Sequence, residues 1–428
     1  MSRNKVLIVT YYWPPSGGAG VQRILKFAKY LPHFGIEPVI LTVENPTYPI
    51  IDESLALNIP KSIKVFKTKS LEPYSIYAYF TKKPVSEVAK PTIILKDTKN
   101  WKNRIGTFIR ANFFIPDARV GWTLSAKSKA KELVSKYDID TVITTGPPHS
   151  THFVGKYLKK IKKIKWIADF RDPWSEIHYN QYLPRTLLAK KIDLLYEKTI
   201  LKNADDVIVV SNSMAKLQNK IYPRKYTVIT NGFDPDDFEE IKHENYSNEI
   251  LTIRHVGSIG ETSVPYNFFE ALNKLDQKLN YRLEFIGNVH PKIQQLINKY
   301  SLNDRISIKP YLPHRQAIKA MQESDLLLLV IPNARNNELI LTGKLFDYIG
   351  SQTPVMLIGP CRGDAALIID ELKQGNCFEH EDTESMYHYL AKVLGDSLYL
   401  EPKSVDSDVE SHPYSRITLT RKLAGLIQ

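Results

Sequence analysis

Glu338-Leu-Ile-Leu-Thr-Gly343-Lys344-Leu-Phe-Asp347-Tyr348 runs on through Ile349-Gly350-Ser-Gln-Thr353-Pro354-Val-Met-Leu-Ile358-Gly359. The pattern predicts a turn ending at Gly343, a short helix from Lys344 to about Ile349, a glycine-containing stop, and a buried strand from Val355 to Ile358. A helix entered through Thr342-Gly343 presents free backbone N–H groups and the positive end of its dipole, and Lys344 adds a full charge at the same end. That combination suits a phosphate. Asp347 lies one turn further on, where it can accept hydrogen bonds from ribose hydroxyls while a diphosphate sits at the helix start. The same residues also fit an ordinary helix–strand unit whose Lys and Asp face water.

A chain of 428 residues, 43% hydrophobic and 24% charged, is long enough for two full α/β domains. No run approaches the roughly 18 uncharged apolar residues of a spanning helix, and the chain enters a strand almost at once without a signal peptide. A cytoplasmic location is therefore expected. Cys361 and Cys377 are too few for a disulfide framework, and no His or Cys spacing resembles a zinc site, so both cysteines are expected to be reduced bystanders. The 58 basic against 46 acidic residues leave a net charge of +12. Such a balance fits nucleic acid, an anionic membrane surface or phosphorylated substrates. No nucleic-acid motif accompanies it, which favours the membrane surface and the phosphates, with a merely Lys-rich surface as the plain alternative.

Lys5-Val-Leu-Ile-Val-Thr10 is a continuous apolar run, as expected of a parallel strand covered on both faces. Tyr11-Tyr-Trp13-Pro14-Pro15-Ser16-Gly17-Gly18-Ala19-Gly20 follows, and then a helical pattern from Val21 to Leu31. Strand, Gly-rich turn and helix in that order place backbone N–H groups at the carboxyl edge of a sheet, where Gly17, Gly18 and Gly20 can hold a phosphate or simply turn the chain. Neither the P-loop ending nor the dinucleotide glycine spacing occurs here. Strands are read at Glu37–Val43, Ile63–Lys67, Thr141–Thr145, Lys165–Asp169 and Asp205–Ser211. Between Leu71 and Trp122 the pattern loosens into aromatics and basic residues, including Tyr74, Phe80, Lys82 and Lys96. From Trp101 to Phe114, Trp101, Ile105, Phe108 and Ile109 can share one helical face flanked by Lys102, Arg104 and Arg110, which fits either a membrane interface or a packed insertion.

Two strand ends carry chemistry. Gly146-Pro147-Pro148-His149-Ser150 leaves one of them, so His149 is expected to face the carboxyl edge of the sheet. Asp169-Phe-Arg171-Asp172-Pro173-Trp174 leaves another, with three ionisable groups in four positions that must pair or bind something polar. Arg171 is either a ligand contact or the ion-pair partner of Asp169 or Asp172. Asn231-Gly232-Phe233-Asp234 is a tight turn, and Pro235–Asn248, charged and without apolar periodicity, reads as a linker. A second strand-and-loop series starts at Leu251-Thr-Ile-Arg-His255-Val256-Gly257-Ser258-Ile259-Gly260. The buried strand Asp325–Ile331 then leads through Arg335 to Glu338.

Gly343-Lys344-Leu-Phe-Asp347-Tyr348, then small residues, then Thr353-Pro354-Val355 resembles the donor-binding segment of GT-B glycosyltransferases, especially the bacterial retaining family 4. In that family a pair of glutamates seven residues apart binds the sugar and the ribose of a nucleotide-sugar. Asp347 stands at the second position, and Glu338 lies one residue off the first. The Gly-Pro-Pro-His-Ser, Asp-Phe-Arg-Asp-Pro-Trp and Asn-Gly-hydrophobe-Asp pieces resemble the same enzymes, and the resemblance covers nearly the whole chain.

The resemblance implies an α/β protein of GT-B architecture, with two doubly wound parallel-sheet, Rossmann-like domains facing across a cleft. Residues 1–235 would form the acceptor-side domain and 249–412 the nucleotide-sugar domain, while 413–428 would form a helix crossing back. It implies a metal-independent, retaining glycosyltransferase that moves a sugar from a UDP- or GDP-linked donor to a glycan or lipid-linked acceptor in surface polysaccharide synthesis; the basic charge adds the expectation of a peripheral place on the inner face of the plasma membrane. No cofactor or nucleic acid is implied. Gly257, Ser258, Arg335, Gly343, Lys344 and Asp347 would hold the donor, and the Gly17–Gly20 loop would close over its phosphates. His149, Asp169 and Glu338 would carry the chemistry, with Arg171 and Asp172 on the acceptor side. The Arg and Lys that many members carry after the Gly257 turn are replaced by Glu261, Thr262 and Ser263, so Ser258 and Lys344 must make the diphosphate contacts. Two rivals remain in view, a nucleotide-sugar epimerase on the same fold and a non-catalytic nucleotide-sugar-binding subunit.

Overall fold

The computed structural model describes residues 4–44, 46, 48, 51–71, 101–177, 180, 183–238, 250–275, 279–395 and 410–428. Tyr74, Phe80, Lys82 and Lys96, with most of the linker, lie outside the described residues. The chain divides into two compact units, Met1–Thr230 with Arg416–Gln428, and Asn231–Ser415.

In the first unit the apolar runs become strands β1 (Asn4–Val9), β2 (Ile36–Val43), β3 (Lys64–Thr68), β4 (Thr141–Gly146), β5 (Lys165–Phe170), β6 (Asp206–Val209) and β7 (Thr227–Val228). They form a seven-stranded sheet in the order β3-β2-β1-β4-β5-β6-β7, parallel throughout. Helices α1 (Ala19–Tyr30), α2 (Trp101–Phe113), α3 (Trp122–Tyr137), α4 (His152–Ile161), α5 (Leu187–Asn203) and α6 (Asn212–Ile221) surround it. Alternation along β1 explains why its run is wholly apolar: Val6 and Ile8 pack with Val21, Ile24 and Leu25 of α1, while Leu7 and Val9 pack with Ala126 and Leu133 of α3 and Leu158 of α4. Each such aliphatic side chain contributes about 1.5–3 kcal/mol when fully buried. β1 pairs with β2 on one side and β4 on the other, so the strand order reverses there and the loops leaving β1 and β4 emerge side by side.

The second unit repeats the plan. Strands β8 (Leu251–Val256), β9 (Tyr281–Ile286), β10 (Ile306–Lys309), β11 (Leu326–Val330), β12 (Val355–Ile358) and β13 (Gly375–Phe378) are ordered β10-β9-β8-β11-β12-β13. They alternate with α7 (Tyr266–Lys274), α8 (Lys292–Lys299), α9 (His314–Gln322), α10 (Gly343–Gly350), α11 (Asp364–Glu371) and α12 (Thr383–Gly395). The reversal lies between β8 and β11, whose following loops contain Gly257-Ser258 and Arg335-Glu338. The last helix, α13 (Arg416–Ile427), returns to the first unit, where Leu419, Leu423 and Ile427 join the layer of α1.

One expectation is corrected here. Cys361 and Cys377 are joined as a disulfide with their Cα atoms 5.5 Å apart, not separate reduced bystanders. β12 and β13 pair in register as far as Ile358 and Phe378, which brings the loop after β12 against the end of β13.

Candidate active site

In the second unit, Lys344 sits in the first turn of α10 and reaches back to the end of β8. Its Nζ donates to the Ser258 carbonyl at 2.5 Å and lies 3.2 Å from His255 Nε2. His255 Nδ1 is 2.8 Å from the Leu328 carbonyl, which can only accept, so Nδ1 carries the proton and Nε2 receives the lysine. Burial, with the Lys344 charge added, holds His255 down at about 3, and the ring stays neutral across the working pH range. Burial also lowers Lys344, to about 8. An ammonium with two of its three donors so anchored keeps one for a ligand.

The chain is shaped to admit this lysine. A Cβ on Gly257 would stand 2.3 Å from Lys344 Cε, and its φ of +124° lies in the region that only glycine adopts freely. Tyr348, one turn further along α10, accepts the Val256 N–H at 2.8 Å and fixes the helix against β8. Thr342 precedes α10 without capping it, and its buried Oγ1 has no partner among the described residues. The helix start thus offers open N–H groups, an unpartnered hydroxyl and a cation. Asp347 is half-buried on α10, while Arg335 and Glu338 are exposed on the loop after β11. Glu338 has its Cα 3.2 Å from where a Gly363 Cβ would be, so the disulfide-bearing loop packs beneath it.

In the first unit, the structure separates residues that the sequence groups together. Asp169 is buried, and both carboxylate oxygens are engaged: Arg23 of α1 donates to them at 2.8 and 3.3 Å, and Thr145 Oγ1 donates at 2.8 Å. Burial works against the charged form, and Arg23 outweighs it, leaving Asp169 below the ordinary carboxylate range. Asp169 thus ties α1 to β5, with both of its oxygens engaged. Arg171 is not the partner of Asp169 in this pair. Its guanidinium bonds the carbonyls of Gly146 and Pro147, and it passes so close to Gly20 that a Cβ there would lie 1.7 Å from Nη1. Gly20 is thus required by the arginine beneath it, and Gly18, at φ +105°, by the turn itself. Asp172 is exposed.

His149 lies at the carboxyl end of β4, buried and stacked on Trp174 with ring centroids 4.8 Å apart. Neither ring nitrogen has a partner among the described residues. Burial, then the neighbouring His152 and Arg171, hold it well below the usual histidine range. It is therefore a neutral hydrogen-bonding group, not a base poised near neutrality. Asp117 fixes the turn it stands on, accepting the Ser150 N–H and Oγ–H at 2.8 Å each. The Trp174 indole is held in turn by Asp193 at 2.7 Å. Arg23, Asp117, Asp193 and His255 were not singled out from the sequence, because each acts on a partner far away in the chain.

The profile of Glycosyltransferase Family 4 matches residues 17–237. A glycosyltransferase from Rickettsia africae ESF-5 is similar in structure, with a TM-score of 0.64 at 17% identity over 100% of this chain and 98% of that one. HepE from Anabaena, in complex with UDP and glucose, superposes with a TM-score of 0.62 at 13% identity, covering 99% of both chains. WaaG, a glycosyltransferase involved in lipopolysaccharide biosynthesis, gives 0.56 at 15% identity over 99% of both. No curated protein matches the sequence. At these identities the likeness is one of fold, the GT-B arrangement of two doubly wound parallel-sheet domains.

Proposed function

The chain belongs to glycosyltransferase family 4, and from that footing we propose that it moves a sugar from a UDP- or GDP-linked donor to a glycan or lipid-linked acceptor in cell-surface polysaccharide synthesis. The observation that carries the reading is Lys344, anchored on Ser258 and His255 at the start of α10 with one donor to spare. That group and the open N–H groups of the helix meet the charge of a leaving diphosphate, which supports transfer without a divalent ion. UDP bound to HepE supports the same donor class.

We read the transfer as retaining. The anomeric carbon–diphosphate bond breaks, the acceptor oxygen bonds to that carbon on the same face, and the hydroxyl proton passes to the departing phosphate oxygen. This chain then needs no strong base. A neutral His149 with two open nitrogens is suited to holding a sugar hydroxyl, and Arg171 keeps the loop beside it in place. The enzyme would work peripherally on the inner face of the plasma membrane, where lipid-linked acceptors are found.

The test is incubation with UDP- and GDP-sugars, with and without lipid-linked glycan extracts. Nucleoside diphosphate released only when acceptor is present supports the reading. A donor isomerised without acceptor would make the protein an epimerase, and a donor bound but unchanged would make it a binding subunit.

A further inference from the structure

Helix α5 is inverted in polarity over its first turns, before Ile200 and Leu201 turn inward in the ordinary way. Its inward side carries Asp193 and Glu197, 1% and 0% exposed, while Leu187, Leu188 and Leu195 point outward at 77%, 68% and 61%. With a turn of about 100° per residue, Leu187, Leu188, Lys191, Leu194, Leu195 and Lys198 share the outer face. The inward acids have work there: Asp193 holds Trp174 and pairs with Arg185, and Glu197 accepts from Ser175 N and Gln218 Nε2. No comparable network accounts for four leucines facing water.

α2 is stapled to the start of this helix. Arg185 Nε donates to the Ala111 carbonyl at 3.2 Å, and Asn112 bridges the Pro184 carbonyl and the Thr186 N–H. Phe113, 75% exposed, thus flanks the same junction as Leu187, and Ile105, Phe108 and Ile109 are exposed further back along α2. The exposed charges of the pair are all basic, Arg104 on α2 and Lys190, Lys191, Lys198 and Lys202 on α5, since the only acids in either helix are the two buried ones. Apolar side chains among cations and no exposed acid complement an anionic, amphipathic layer. No described helix is long and apolar enough to cross a membrane, so such a layer would be met side-on.

We propose that the outer face of α5, together with α2, is the surface by which this protein docks on an anionic lipid bilayer, its leucines and phenylalanines entering the headgroup boundary and its lysines meeting lipid phosphates. The inference deepens the reading of a lipid-linked acceptor and rests on it for its purpose. The docking face has Asp193 on its inner side, and Asp193 holds the Trp174 ring under His149, so the surface and the acceptor-side site share one helix.

The experiment is flotation of the full chain with vesicles of phosphatidylcholine alone and of phosphatidylcholine mixed with phosphatidylglycerol, with UDP binding measured in parallel. The wild type is expected to float with the anionic vesicles only. Leu194→Ser combined with Leu195→Ser, and Lys191→Glu combined with Lys198→Glu, should each reduce that partition at least tenfold, while Lys162→Glu with Lys163→Glu in the loop after α4 should not. UDP binding should be unchanged in all of them. A wild type that does not float, or variants that float as it does, overturns the proposal. So does a change of oligomeric state in the leucine variant with flotation intact, which would make the face a subunit interface. Flotation as expected without any UDP binding would instead count against the glycosyltransfer reading.

Discussion

Lys344 directs two donors into its own unit and keeps the third for a ligand, so its effect on binding should be electrostatic and pH-dependent. A bound diphosphate favours the charged amine. With the free group at about 8, UDP affinity should hold steady below that pH and fall above it, by at most about tenfold per unit for one linked proton. Lys344→Ala should weaken binding and abolish this dependence, and titration at several pH values checks both. Asp169 and His149 are expected to part company. Asp169→Asn leaves the buried Arg23 without its counter-ion and should destabilise the protein by about 3 kcal/mol or more, seen as a lower melting temperature. Because the folded carboxyl is held below its unfolded value, its stabilisation is present above about pH 3.9 and lost as the pH falls through the folded value. His149→Ala removes no paired group and should instead lower turnover by about a hundredfold, with UDP affinity unchanged.

Elements determine how side chains far apart in sequence meet. Trp174 lies under His149 because Asp193 of α5 holds its indole. Trp174→Phe keeps the ring and removes that bond, leaving Asp193 with one fewer donor at a cost of about 1–3 kcal/mol. Turnover should fall while the Michaelis constant for the donor stays the same; a change confined to melting temperature would make the indole bond purely structural. The strands were legible in the sequence because buried parallel strands are uniformly apolar, and α10 was legible from its glycine entry and lysine. The pairing of Asp169 was not, since its partner Arg23 stands 146 residues earlier on what reads as an ordinary helix. α5 was unreadable in a different way: from Leu187 to Lys198 its burial contradicts the rule that acids face out and leucines in. The Cys361–Cys377 bond escaped a reading by count, because only the register of β12 with β13 brings the loop that carries Cys361 against the end of β13.

At the scale of the whole chain, two parallel-sheet units each present glycine-containing loops where their strand order reverses, and the chemistry on the two edges differs. One edge has an anchored cation and a helix start, the other a neutral histidine on an aromatic shelf. That asymmetry supports donor phosphate on the second unit and a sugar hydroxyl on the first. The net charge of +12 would serve both the proposed donor's phosphates and the proposed lipid surface, and only the first of these is central. The most direct measurement is calorimetric titration of UDP and GDP into the wild-type chain and into Lys344→Ala. The account predicts that the wild type binds at least one of the two, and that the variant binds it about tenfold or more weakly while melting at nearly the same temperature. Equal affinity in the two proteins, or no binding of either nucleotide by the wild type, would contradict it.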